Sequence, residues 1–266
     1  MTSFIPNLVS RFQSAREYMT PVLTTSQFYE KGQLTPEEFV NAGEYLIRMS
    51  PTWKWGRGDA TRAKAYLPPD KQFLILSSAP CRRRVATVSE ARHDHDIISM
   101  LASEVIPGIP VSSACGSDDE YGDISHFAEP DLHVESAPDK KSHISAVDRN
   151  YEITIVYDNY YRTPRVYLCG YSNEGRPLSS IETMEDIMQD YINKTATIEA
   201  HPHIGLNYVS IHPCRHSETM KRILDVMIAA TNEQPPVQMY MFLFIKFIGS
   251  MIPTIEYDNT IPISIH

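Results

Sequence analysis

Apolar residues recur at helical spacing over the first twenty positions, at Phe4, Ile5, Leu8, Val9, Phe12, Ala15 and Met19, with Arg11 and Arg16 among the polar positions. Pro6 suits a first helical turn, and Pro21 ends the pattern. Such a helix packs on a core or lies in a membrane interface, and periodicity alone favours the core. Thr35-Pro36-Glu37-Glu38 predicts a capping box with proline at the first helical position. The helix it opens carries Phe39, Val40, Tyr45, Leu46 and Met49 and stops at Pro51. Trp53 and Trp55 follow in a stretch rich in glycine and charge, which reads as a loop anchored on the core by its indoles. Residues 72–76 predict a strand, and Cys81-Arg82-Arg83-Arg84 a basic turn on a solvated face.

From Ser89 to Asp148 no period is sustained, and scattered acids, Ser, Gly and Pro predict a mostly disordered segment. It contains one short amphipathic stripe, Ile97, Ile98, Leu101, Val105 and Ile106, with Asp96 as N-cap. A helix this short is marginal alone, so it is expected to form against a partner. Order returns with the alternating run 151–157 and with 165–169 after a Thr163-Pro164 turn, which together predict a hairpin. Ile181, Met184, Ile187, Met188 and Tyr191 predict one helix face. Short strands at 195–198 and 208–211 flank the loop His201-Pro202-His203, and helices at 218–230 and 237–250 complete the pattern. The fold class is α+β, an antiparallel sheet with helices on one face.

Composition refines this picture in three places. The chain has 266 residues, 42% of them hydrophobic, enough for one large core or two small ones. The net charge of −9 argues against nucleic acid as a partner, and it is concentrated. Thirteen Asp/Glu against three Lys/Arg between Ser89 and Asp148 leave the rest of the chain nearly neutral. Cys81, Cys115, Cys169 and Cys214 form no CxxC pair and follow no secretory signal, which predicts reduced thiols in a cytosolic compartment. The apolar run 239–252 contains Lys246 and falls short of the roughly 20 residues of a membrane span.

The chemistry is expected where the last alternating run ends, at Ser210-Ile211-His212-Pro213-Cys214-Arg215-His216. A thiol in the first turn of a helix faces unpaired N–H groups, which favour thiolate, the form that attacks a carbonyl or thioester. His212, Arg215 and His216 would favour it further if cationic and close. An isolated cysteine is more often a buried small hydrophobe. Zinc at His201, His203, His212, Cys214 and His216 is disfavoured, because no C-x2-4-C pair accompanies the lone His212-x3-His216 spacing. A Cys/His hydrolase would need its base from elsewhere in the fold.

His212-Pro213-Cys214-Arg215-His216, preceded by Lys194-Thr195-Ala196-Thr197-Ile198-Glu199 and followed by Ile252-Pro253-Thr254-Ile255-Glu256-Tyr257-Asp258, closely resembles the autophagy-related protein 3 family. The likeness extends to Tyr18-Met19-Thr20-Pro21-Val22-Leu23, Pro51-Thr52-Trp53, Lys71-Gln72-Phe73-Leu74 and Tyr160-Tyr161-Arg162-Thr163-Pro164-Arg165. The resemblance implies a ubiquitin-conjugating-enzyme-like fold, with the conjugating core in two parts, 21–88 and 149–266. Residues 1–20 become a membrane-sensing amphipathic helix, with Phe4, Ile5, Leu8, Val9 and Phe12 on the membrane, and 89–148 a flexible acidic region. It makes Cys214 the nucleophile, His212 the histidine before it and Thr195 the active-site threonine. The implied activity is transfer of the ubiquitin-like modifier autophagy-related protein 8 to phosphatidylethanolamine. The implied partners are that modifier, the activating enzyme autophagy-related protein 7, the autophagy-related protein 12 conjugate complex and a phosphatidylethanolamine membrane surface. The setting is cytoplasmic, with recruitment to forming autophagosomes and no metal or cofactor.

Two binding stretches in the acidic region complete the expectations. Ile97, Ile98, Leu101 and Val105 are assigned to a groove of the activating enzyme, which would bury their apolar face. Tyr121 and Ile124, behind Asp118-Asp119-Glu120, are assigned to the modifier's sheet edge. The chain departs from relatives in its shorter acidic region and in its short Glu233-Gln234-Pro235-Pro236 connection, which leaves no room for an inserted Trp-x-x-Leu motif. Its last stretch also runs Asn259-Thr260-Ile261-Pro262-Ile263 where relatives have an aromatic after the aspartate.

Overall fold

The structure, a computed structural model, describes residues 16, 19–85, 148–192 and 194–257. The chain order is α1 (Phe28–Lys31), α2 (Pro36–Met49), β1 (Trp53–Gly56), β2 (Phe73–Cys81), β3 (Arg149–Asp158), β4 (Thr163–Ser172), α3 (Ser180–Met184), β5 (Ala196–Ala200), β6 (Asn207–Ile211), α4 (His216–Thr231) and α5 (Tyr240–Met251). A 3-10 turn, Pro213–Arg215, joins β6 to α4. The six strands form one sheet in the order β1-β2-β3-β4-β6-β5, and every neighbouring pair is antiparallel. The α+β class and the antiparallel sheet expected from the sequence are those observed.

Alternation assigns the two faces. Leu74, Leu76, Ile153, Ile155, Tyr157, Val166, Leu168, Val209 and Ile211 join Phe39, Leu46, Leu224, Met227, Phe244 and Ile248 of the helices in the main core. The run 239–252 is accordingly a buried helix, with Leu243 and Phe244 fully enclosed. The opposite face is covered too, because Phe73, Val156, Tyr167 and Tyr208 pack under the loop that follows β5. His201 and His203 of that loop lie 5.1 and 5.5 Å from the Phe73 ring. His201 Nε2 meets Thr154 Oγ1 at 3.0 Å.

The predicted capping box is present: Glu38 N–H donates to Thr35 Oγ1 at 3.1 Å, and Thr35 N–H to Glu38 Oε2 at 2.8 Å. Three expectations are corrected. Trp53 and Trp55 are in a strand, not a loop, since β1 pairs with β2 in the register Trp53↔Leu76 and Trp55↔Leu74. The stripe Ile181 to Tyr191 is not one helix: α3 ends at Met184, and Ile181 is 77% exposed while Ile187 is buried. Asp186 lies just past the break, and its buried carboxylate accepts from Tyr151 Oη at 2.6 Å and Arg149 Nη1 at 2.8 Å. Arg84, assigned to a solvated turn, points inward to the same carboxylate at 3.4 Å.

Candidate functional site

The candidate nucleophile stands where β6 hands over to α4. Pro213 opens the 3-10 turn, where its missing N–H is not needed, and Cys214 follows with its side chain exposed. His212 fixes the junction from both sides. Its main-chain N–H donates to the Thr195 carbonyl at 2.7 Å, extending the β5–β6 pairing by one step. Its ring Nδ1 accepts from the Cys214 N–H at 3.3 Å. That bond requires the neutral ring with its proton on Nε2, and Nε2 faces Tyr161 Oη at 3.5 Å. Tyr161 and His212 meet nearly edge to face, with centroids 5.1 Å apart.

The electrostatics agree with a neutral His212. Burial lowers its pKa, the Arg165 and Arg16 guanidiniums lower it further, and Glu199 partly opposes them. Its one Nδ1 lone pair is spent on the Cys214 peptide, so in this arrangement His212 holds the loop rather than accepting a proton.

His216 corrects an expectation. Two residues beyond Cys214 on a helical path, it turns inward and is buried. Its Nδ1–H donates to the Pro164 carbonyl at 2.9 Å, and its ring packs against Phe244 and Phe247 at 5.3 and 5.5 Å. Burial pushes its pKa down to about 4, so it places no cation beside the thiol. Arg215 is exposed, next to Cys214 in the chain.

Thr195 comes to the site through its main chain, while its Oγ1 is buried without a hydrogen bond among the described residues. His201 and His203 sit on the far face of the sheet, and among the described residues no three His, Cys, Asp or Glu side chains gather as a metal site. Phe4, Ile5, Leu8, Val9, Phe12, Ile97, Ile98, Leu101, Val105, Tyr121 and Ile124 lie outside the described residues. No helix among the described residues is long and apolar enough to cross a membrane.

Sequence reasoning missed the supports around His212. Tyr161 and Arg165 flank the turn into β4, and the Arg16 guanidinium stacks 3.6 Å over the Tyr160 ring and reaches Tyr161 Oη at 3.3 Å. The run Tyr160 to Arg165 was visible as a motif, but only the register Val166↔Ile211 carries it to the end of β6.

Residues 38–259 match the family described as "Autophagocytosis associated protein, active-site domain". Among curated proteins, the autophagy-related protein 3 of Arabidopsis thaliana is 38% identical over 94% of each chain. That of Dictyostelium discoideum is 34% identical over 98% of each. That of Kluyveromyces lactis is 35% identical over 95% of this chain and 98% of its own. With the α+β fold and a cysteine presented at a strand-to-helix junction, this full-length similarity establishes that the chain belongs to the autophagy-related protein 3 family of autophagy conjugating enzymes.

Proposed function

We propose that the protein accepts autophagy-related protein 8 as a thioester on Cys214 and transfers it to phosphatidylethanolamine on the forming autophagosome. The observation that carries this reading is the exposed Cys214 at the β6–α4 junction, with its peptide N–H held by His212, inside the matched active-site domain. In the first step the Cys214 thiolate attacks the thioester carbonyl on the activating enzyme, autophagy-related protein 7, whose own thiolate leaves. In the second, the lipid amine attacks the new thioester, the Cys214 thiolate leaves and the amine nitrogen loses its proton. With its Nδ1 lone pair occupied, His212 is a positioning residue here, and the amine arrives already deprotonated. Thr195 supports the same turn through its carbonyl. Phe4, Ile5, Leu8, Val9 and Phe12 would bring the chain to the membrane. Ile97, Ile98, Leu101 and Val105 would bind the activating enzyme, and Tyr121 with Ile124 the modifier. The autophagy-related protein 12 conjugate is the further partner.

A non-reducing gel tests the assignment. Activating enzyme, ATP and modifier are expected to give an adduct that thiols cleave. Cys214→Ser is expected to give a thiol-resistant oxyester that discharges poorly to lipid, since an alkoxide is a far worse leaving group than a thiolate. Unimpaired lipidation by that variant removes Cys214 from the mechanism.

A further inference from the structure

Arg165 lies near the start of β4 on the face away from the helices, and it is buried. Its Nε donates to Ser210 Oγ at 2.8 Å, two residues before His212. Its Nη2 forms an ion pair with Glu199 of β5, close but without an aligned hydrogen bond. Its Nη1 stands 3.6 Å from Asp158 Oδ2 at the end of β3. Asp158 Oδ1 in turn accepts from the Tyr160 and Tyr161 N–H groups, at 3.0 Å each, fixing the turn that carries Tyr161. One guanidinium therefore joins β3, β4, β5 and β6 directly under the His212 turn. Burying such a group is costly, and apolar side chains of the same volume often stabilise as well, so core stability alone does not account for it.

We propose that Arg165 is a positioning residue for the Cys214 chemistry, holding the end of β6 in place and setting the field at the His212 ring that clamps the Cys214 peptide. Its consequence for transfer rests on the function proposed above. Its effect on His212 is a property of the free protein.

The clamp works only with a neutral ring, because a protonated imidazole has no lone pair on Nδ1. The groups facing that ring are Arg165 from β4, Glu199 from β5, Arg16 from the N-terminal segment, Tyr161 from the β3–β4 turn, and Cys214 and His216 along its own segment. Arg165 and Arg16 oppose protonation, and Glu199 favours it. Removing Arg165 deletes a cation and strips Glu199 of its partner, and both changes favour a charged ring that releases the Cys214 N–H. A freed junction lets the sulfur wander, and a displacement of 1 Å costs on the order of a hundredfold in rate.

The test uses the full chain as Arg165→Gln and as Glu199→Gln, with the His212 ring nitrogens titrated by NMR. The His212 midpoint is expected to rise by about one pH unit in Arg165→Gln and to fall in Glu199→Gln. Loosening of the structure would instead move both upward, toward the value of an exposed histidine. Discharge of a preformed thioester onto phosphatidylethanolamine vesicles is expected to slow about two- to threefold in Arg165→Gln at pH 6.5, as the neutral fraction of His212 falls, and to recover at pH 8. Midpoints that shift in the same direction, or not at all, overturn the proposal, as does a discharge defect of equal size at both pH values. If Arg165→Gln does not fold, the sign of the shift in Glu199→Gln decides alone. Failure of the wild-type chain to form any Cys214 adduct would sink the proposed function and leave the His212 measurement standing.

Discussion

Acidification is predicted to unfold this protein through three histidines buried in their neutral form. Burial, reinforced by the neighbouring His203, pushes His201 down to about 3. Burial, with Lys64 adding to it, takes His203 to about 4, and burial takes His216 to about 4. An unfolded histidine titrates near 6.5. A base whose folded pKa is depressed contributes stability that is present above the unfolded value and is lost as pH falls toward the folded one. Between pH 7.5 and pH 5 the unfolded chain therefore takes up protons that these three sites refuse, at about 2 kcal/mol each and about 6 kcal/mol together. A whole domain has only about 5–15 kcal/mol. Near pH 5 the slope approaches 4 kcal/mol per pH unit, close to three protons. Urea titrations from pH 7.5 to 5, read by the fluorescence of buried Trp53, measure it. His203 supplies the control, because its ring makes no hydrogen bond among the described residues and stacks on Phe73. His203→Phe keeps the ring and removes one titration, so its loss of stability on acidification is expected to be smaller by about 2 kcal/mol. A wild-type loss below about 2 kcal/mol between pH 7.5 and 5, or a control with the wild-type slope, refutes the reasoning.

Other outcomes follow from the packing and the proposed function. Gly32 has φ +63° and an added Cβ would stand 2.3 Å from the Ser217 carbonyl oxygen, so Gly32→Ala is expected to cost about 2–3 kcal/mol in a urea titration and to push α4 away from α1. Val9→Asp is expected to abolish lipidation on vesicles while thioester formation continues, since a carboxylate among acyl chains is costly. Joint loss of both would place that stripe on the core. Leu101→Asp is expected to slow charging of Cys214 and leave discharge of a preformed thioester unchanged, which single-turnover kinetics separates.

Local rules made part of this structure legible. The Thr35 capping box needs only four consecutive residues, and the strand alternation of 151–157 and 208–211 needs only its own pleat. β1 was missed because Trp53-Lys54-Trp55-Gly56 is too short to show a period, and its strand character comes from pairing with β2. The break after Met184 was missed because the residues just past it are tied to distant parts of the chain, Asp186 being held by Arg84 and Arg149. The site divides in the same way. His212 and Cys214 declared themselves within one motif, whereas Arg165, Glu199 and Tyr161 acquire their places only when β4, β5 and β6 pair. His216 shows the reverse: proximity in sequence suggested a cation at the thiol, and the helix turned the ring into the core.

The pairing of β2 with β3 joins Cys81 to Arg149 across the connection between them. The price of closing such a connection grows only with the logarithm of its length, so for a chain with no contacts of its own each doubling costs about 0.6 kcal/mol. That connection joins the sheet at the level of Arg149, while Ile155, by way of Val166, is level with Ile211 just before His212. Six strand residues, roughly 20 Å, separate the two levels. A change in the length of this connection therefore enters the sheet at its Cys81–Arg149 end, remote from the thiol, and evolution can resize it without moving the strand ends that carry the Cys214 junction.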